Sequence, residues 1–315
     1  MRSFALLLFF ILIVFAIPCN AIFEGTANAN IFISIYKQRG DFGRLALWHE
    51  AAAECLNLIS IPMNDILYNY YKRNGYEKWV ERTEKETLEI QEQRQFHLKR
   101  AEAAWKRSQT NENVLNSERE KIAKFMKTWL PHYPDRFFKF GIYATFFKEQ
   151  QERAEQKNDY AKVLRLEAEA AEMCAAQYEK IPIAYGLESY TKIRDAYLKH
   201  ATLLRTLAKQ TPKKLPDEVD IGKQIQLQKP DPTISPKKKA GIILHTAKSD
   251  PRIKTVLANQ KGVREYAWFQ GFAWTVSFYN HSWGNLAIVV IDDNTGKVID
   301  ILIGKRESEK LNLVD

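Results

Sequence analysis

His49-Glu50 lies in an alanine-rich stretch with helical spacing, and a His-Glu pair on a helix is half of a zinc-binding pattern in which the glutamate serves as general base. Completing a metal-binding face requires a second His one turn along, where Ala53 stands. The other histidines, His97, His132, His200, His245 and His281, form no close pair in sequence. Asp292-Asp293 brings two carboxylates together, but neighbours on a strand point to opposite faces, so the pair suits a turn better than a cation. Asp292, Asp293 and Gly296 are accordingly read as structural hairpin residues, the glycine supplying the backbone freedom of the turn. The sequence contains no phosphate-cradling glycine loop and no nucleophile elbow. No catalytic, cofactor-binding or metal-binding residue is assigned, no cofactor is expected, and the chain is read as a non-enzyme. The alternative is a degenerate or unrecognised envelope hydrolase with a carboxylate site formed only on folding, since Asp and Glu number 38.

The elements around these residues are most legible at the C-terminal end. Phe272-Ala-Trp274-Thr-Val276-Ser-Phe278 alternates with a period of two, which predicts a half-buried strand. Leu286 to Ile291 is a second apolar run, and Asp-Asp-Asn-Thr-Gly296 before Val298 reads as a hairpin turn. Ala240–Leu257 has helical spacing interrupted at Asp250-Pro251, which predicts two short helices or one bent one before a sheet starting near Val263. Val276, Phe278, Ile288, Val290, Val298 and Leu302, with Trp274 beside them, are expected to face the helix. Trp268, Trp274 and Trp283 form either an exposed recognition patch or a core with one surface indole.

This combination resembles a PepSY domain of the bacterial envelope: an Ala- and Ile-rich helix, strands with Trp274-x-Val276-x-Phe278 and Ala287-x-Val289-x-Ile291-Asp292, then Thr295-Gly296-Lys297-Val298. The likeness covers residues 237–304. It implies a bacterial source and a regulatory or binding role, such as binding or restraining a peptidase, with no catalytic residues to carry over.

The body before it, residues 22–210, is sparse in Gly and Pro and reads as helix. Gly40-Asp41-Phe42-Gly43-Arg44-Leu45 followed by Ala52-Ala53-Glu54 aligns with Asn158-Asp159-Tyr160-Ala161-Lys162-Val163 followed by Ala170-Ala171-Glu172. Asn74-Gly75-Tyr76 is a partial third copy, and each marks a junction between two helices. These junctions resemble the helical hairpin of tetratricopeptide repeats, although Leu45 and Val163 replace the small residue found three positions after the aromatic. That resemblance implies a groove for peptides. Between the copies, Tyr76–Arg107 and Val114–Leu130 read as two charged helices forming an antiparallel hairpin, the second capped by Ser117 and Glu120. Phe137, Phe138, Phe140, Tyr143, Phe146 and Phe147 follow as a core helix.

Met1-Arg2-Ser3 and the apolar run from Phe4 to Pro18, closing on Cys19-Asn20-Ala21, read as a signal peptide over residues 1–21. The run falls short of the roughly 20 residues of a spanning helix, so no membrane span is expected after cleavage; an uncleaved anchor is the alternative. Ile17-Pro18 before Cys19 is a poor lipidation site. The chain is therefore expected to be exported, periplasmic or secreted. Of its three cysteines, Cys55 and Cys174 remain, either bridged in an oxidising compartment or buried singly as small hydrophobes. The net charge of +9 is spread along the chain, with only Lys237-Lys238-Lys239 forming a run. Such dilution argues against a nucleic-acid partner, which needs a concentrated basic face.

The expected architecture is thus mainly α-helical, with repeat-like hairpins and a small C-terminal α+β domain. Its parts are the signal peptide, a helical domain over 22–210, a Pro- and Lys-rich linker over 211–236, the PepSY-like domain over 237–304 and a tail over 305–315. The expected partner is a protein or peptide of the cell envelope.

Overall fold

The computed structural model describes residues 24–130, 146–180, 189–210, 212, 214–215, 237–258, 260–280 and 284–304. The expected signal segment, most of the expected linker, Phe137 to Tyr143, Trp283 and residues 305–315 lie outside these residues. The chain is mainly α-helical with a small antiparallel sheet near its C-terminal end. The helices are α1 (Glu24–Arg39), α2 (Phe42–Cys55), α3 (Ile61–Arg73), α4 (Glu77–Trp105), α5 (Glu112–Trp129), α6 (Lys148–Glu155), α7 (Tyr160–Lys180), α8 (Ser189–Lys209), α9 (Lys237–Ser249) and α10 (Pro251–Leu257). The strands are β1 (Arg264–Phe269), β2 (Ala273–Asn280), β3 (Gly284–Asp292) and β4 (Val298–Ile303). Among the described residues, no helix is long and apolar enough to cross a membrane.

The three aligned junctions share one backbone device. Helix α1 ends at Gly40 (φ 66°), where Gly40 N–H donates to Lys37 O and Asp41 N–H reaches back to Tyr36 O. The same two bonds recur at Gly75 (φ 70°), with Tyr76 N–H donating to Tyr71 O, and at Asn158 (φ 55°), with Asp159 N–H donating to Ala154 O. A left-handed residue that lets the next N–H close on an orphan carbonyl is an efficient way to stop a helix. Asp41 and Asp159 then start the following helix by accepting from the N–H of Arg44 (3.2 Å) and Lys162 (3.0 Å). Between α2 and α3 the chain does not turn but widens into a π-helical segment, Leu56–Ser60, just before Pro62. Proline has no N–H to give the ladder, and the wider turn accommodates the missing bond.

The start of α5 differs from expectation. It lies at Glu112, and Ser117 is inside the helix. Asn111 does the capping: its Oδ1 accepts from Asn113 N–H at 2.8 Å and its carbonyl from Val114 and Leu115.

The chain divides into two compact units, neither continuous in sequence. The first gathers the described residues of Met1–Asn30, Trp48–Lys106 and Leu130–Leu227; the second gathers those of Ile31–Leu47, Arg107–Trp129 and Gln228–Asp315. In the first unit α7 and α8 run as a packed pair, with Tyr178 and Tyr197 stacked at 6.0 Å and Arg205 bound to both carboxylate oxygens of Glu172 (2.7 and 2.8 Å). Phe146 sits at the centre of an aromatic cluster, 5.0 Å from Tyr71, 4.9 Å from Tyr76 and 5.2 Å from Trp79, in edge-on geometry that favours contact between ring quadrupoles.

The second unit holds the sheet, an antiparallel meander in the order β1-β2-β3-β4. Helices α9 and α10 cover one face through Ile243, Ala247, Ile253 and Val256. Asp250 separates these helices and caps α10, accepting from Arg252 N–H at 2.9 Å. The strand residues on that face are Trp274, Val276 and Phe278 with Ala287, Val289 and Ile291. Ile288 and Val290, expected there, belong to the other face: cross-strand partners share a face, and Val276 pairs with Val289 while Thr275 pairs with Val290 and Ser277 with Ile288. A register shift beside Phe278, where Leu286 is the extra residue, reverses the parity that simple alternation predicts. Leu302 pairs with Ile288 and is likewise on the second face.

The second face is not solvated either. Thr275 is fully buried and Ser277 nearly so, so β2 is covered on both sides rather than on one. Residues from α1 and α5 supply the cover: Phe32 lies 5.4 Å from Phe272, and Trp129 Nε1 donates to the buried Gln270 side chain at 2.8 Å.

Candidate functional site

Between that second sheet face and its helical cover is a cavity of about 240 Å³. Helix α1 contributes Phe32, Ile35, Tyr36 and Arg39, spaced so that all four share one face. Arg44 comes from the first turn of α2 and Lys121 from α5. The sheet side is Phe272, Val290, Ile299 and Asp300. Ile299 enters the wall because a second register shift, between Val290 and Ile291, makes it the extra residue of β4.

The charges form a connected arrangement. Glu118 is fully buried, one helical turn before Lys121, and accepts from Tyr36 Oη at 2.8 Å and Lys121 Nζ at 3.1 Å. Arg44 Nε stands 3.4 Å from the same carboxylate without hydrogen-bond geometry, while its Nη1 donates to Asp41 at 2.9 Å. The Arg44 guanidinium also lies 5.6 Å above the Tyr36 ring. Across the cavity Arg39 is paired to Asp300 at 2.7 Å and donates to Ile299 O at 3.1 Å. Burial raises the Tyr36 phenol above its ordinary range, with Glu118 adding to the effect, so it stays a protonated donor. Burial also raises the Asp300 carboxyl, against the opposing pull of Arg39.

Three cations and one carboxylate line the wall, whereas the balancing Glu118 and Asp41 do not. The side chains of Arg39, Arg44 and Lys121 are 46%, 26% and 35% exposed, against 1% for Glu118. The buried Glu118 and the partly buried Asp41 and Asp300 therefore anchor cations whose side chains remain partly exposed. Such a wall attracts carboxylate or phosphate oxygens.

The residues singled out from the sequence lie elsewhere. Asp292 Oδ1 accepts from the N–H of Asn294 (3.1 Å) and Thr295 (2.7 Å), which holds its carboxyl below the usual range, and Gly296 has φ 65°. Asp293 accepts from Trp274 Nε1 at 2.7 Å. Trp274 and Trp268 are both buried and form no exposed patch; Trp283 lies outside the described residues. Cys55 and Cys174 are buried thiols rather than a bridge to one another, and burial, aided by Glu54, pushes Cys55 up to about 12. His49 finds a partner from another helix: its Nδ1 is 3.0 Å from Nδ1 of His97, both rings being buried. Among the described residues no group of three or more His, Cys, Asp or Glu could hold a metal ion.

The sequence reading missed Arg39, Arg44, Glu118, Lys121 and Asp300. The available signal was an apolar stripe on α1 that continues into Arg39, together with a glutamate on the apolar side of α5. No family model, curated protein or solved structure matches the chain.

Proposed function

We propose that this is a non-catalytic binding protein of the bacterial cell envelope, exported by its N-terminal segment, that holds a protein or peptide partner through the sheet-containing unit. The observation that carries the reading is the recess itself, where an apolar floor of Phe32, Ile35 and Val290 lies beside cations anchored on the buried Glu118 and the half-buried Asp300. Recognition sites are typically built this way, with apolar walls and a few fixed polar groups. The PepSY-like resemblance of residues 237–304 supports a binding or peptidase-restraining role, and the apolar run from Phe4 to Pro18 supports export.

The test is retention of envelope proteins by the full chain and by its Ile299→Trp variant, whose indole fills the recess from a partly exposed wall position. A partner retained by the parent and lost from the variant is the expected result. Equal retention by both, or none by either, overturns the reading.

One observation favours a second reading, a hydrolase, because the half-buried Asp300 carboxyl, raised above its ordinary range in a cavity wall, is a candidate general acid. Hydrolysis of a peptidoglycan or protein substrate, abolished by Asp300→Asn, would establish it in place of the first.

A further inference from the structure

We infer that the recess takes a carboxylate attached to a compact apolar group, of the kind presented by a peptide ending in a Leu-like residue or by a free apolar amino acid. The inference rests on reading the recess as a binding site and names its ligand chemistry.

Size sets the first limit. A cavity of about 240 Å³ lies below the roughly 300–1,000 Å³ of pockets for drug-sized ligands. It therefore suits one residue rather than an extended segment. The floor is apolar, with Phe32 and Phe272 in contact at 5.4 Å and Val290 buried beside them. A charged or strongly polar ligand body would lose its hydration there without compensation.

Charge sets the second limit. Arg44 directs one Nη1 bond to Asp41, and its Nε approaches Glu118 without a hydrogen bond, so among the described residues Nη2 keeps its donors. Arg39 uses Nη2 for Asp300 and for Ile299 O, which leaves its other nitrogens. Among the described residues Lys121 makes one hydrogen bond, to Glu118. Salt links on one side of each cation fix its position, and the unspent donors match the geometry of a carboxylate. Tyr36 is committed to Glu118 and steadies that anchor instead of meeting the ligand.

The experiment is calorimetric titration of the full chain with N-acetyl-L-leucine, its C-terminal amide, and L-leucine. N-acetyl-L-leucine mimics a peptide end, the amide removes the charge, and leucine restores a free amino group. N-acetyl-L-leucine is expected to bind saturably at one site, with the amide weaker by about tenfold or more, the loss typical of a hydrogen bond to a charged group. Leucine binding tighter than the acetylated form assigns the site to free amino acids, and weaker binding assigns it to peptide ends; both results support the shared chemistry. Arg44→Gln risks the fold by leaving Glu118 short of a cation, so Lys121→Met is the informative variant. It retains Tyr36 and Arg44 beside Glu118 and is expected to weaken the acid while leaving the amide unchanged. Equal binding of acid and amide, no binding of either, or binding that survives Ile299→Trp overturns the inference. Because retention of envelope proteins is measured separately, a partner lost on Ile299→Trp without acid binding would reject the carboxylate while leaving the binding reading in place. Acid binding without a retained partner would reject the protein partner alone.

Discussion

At Gly271 two constraints meet in one residue. Its φ of 88° is a conformation that side chains rarely adopt, and a Cβ there would stand 2.4 Å from Thr128 Oγ1 and 2.7 Å from Lys124 O. Gly271→Ala is expected to cost at least about 1–2 kcal/mol, read as a lowered midpoint of denaturant unfolding. Gly296→Ala, with the same sign of φ but open space around it, should cost less. The buried His49–His97 contact predicts a pH effect. Burial lowers His97 from its ordinary value of 6.5, so the unfolded chain binds the proton more readily than the folded one. That contribution to stability is complete above about pH 6.5 and is lost as pH falls towards the lowered folded value. Melting temperatures measured from pH 7.5 to 5.5 should fall for the parent protein and change less for His97→Gln. The sequence reading named His49 and His97 but did not pair them, because the two meet across a separation of 48 residues that no local pattern spans. Asp300 escaped notice for the same reason: its position in the wall depends on a register shift between β3 and β4.

Helix starts and stops were the most readable elements, since they depend on bonds a few residues long. Gly40, Gly75 and Asn158 each terminate a helix with the same pair of bonds, and Asp41, Asp159 and Asp250 each cap one. Asp250→Ala should cost about 0.5–2 kcal/mol, checked by denaturant unfolding. Strand faces were less readable. The alternation in β2 placed Trp274, Val276 and Phe278 on the helix face, but the bulge beside Phe278 moved Ile288 and Val290 off it. Ile291→Ala, fully buried on the packed face, is expected to cost about 2–5 kcal/mol. Leu302→Ala, on a partly exposed β4 position of the other face, should cost distinctly less. Equal costs would mean that the face assignment is wrong.

On the scale of the whole chain, both units are assembled from separated segments. Ile31–Leu47 and Arg107–Trp129 belong with the sheet, and this was not visible from composition, because those stretches look like any other part of a helical body. A fragment of residues 237–315 therefore lacks the side chains that cover Thr275, Ile288 and Val290. It is expected to expose apolar surface, bind a hydrophobic dye and give poorly dispersed amide resonances, whereas the full chain does not. A well-dispersed spectrum from that fragment would show the sheet to be self-sufficient. The recess has the same origin: its helical wall and its sheet wall are brought together only by this discontinuous assembly.

The most direct measurement is a methyl NMR titration of the full chain, labelled at isoleucine and valine, with N-acetyl-L-leucine. Ile35, Val290 and Ile299 line the recess, and Ile90 is a buried reporter in the other unit. The account predicts saturable shifts at the three recess methyl groups and none at Ile90. Unchanged recess resonances at saturating ligand, or shifts centred on the other unit, would contradict it.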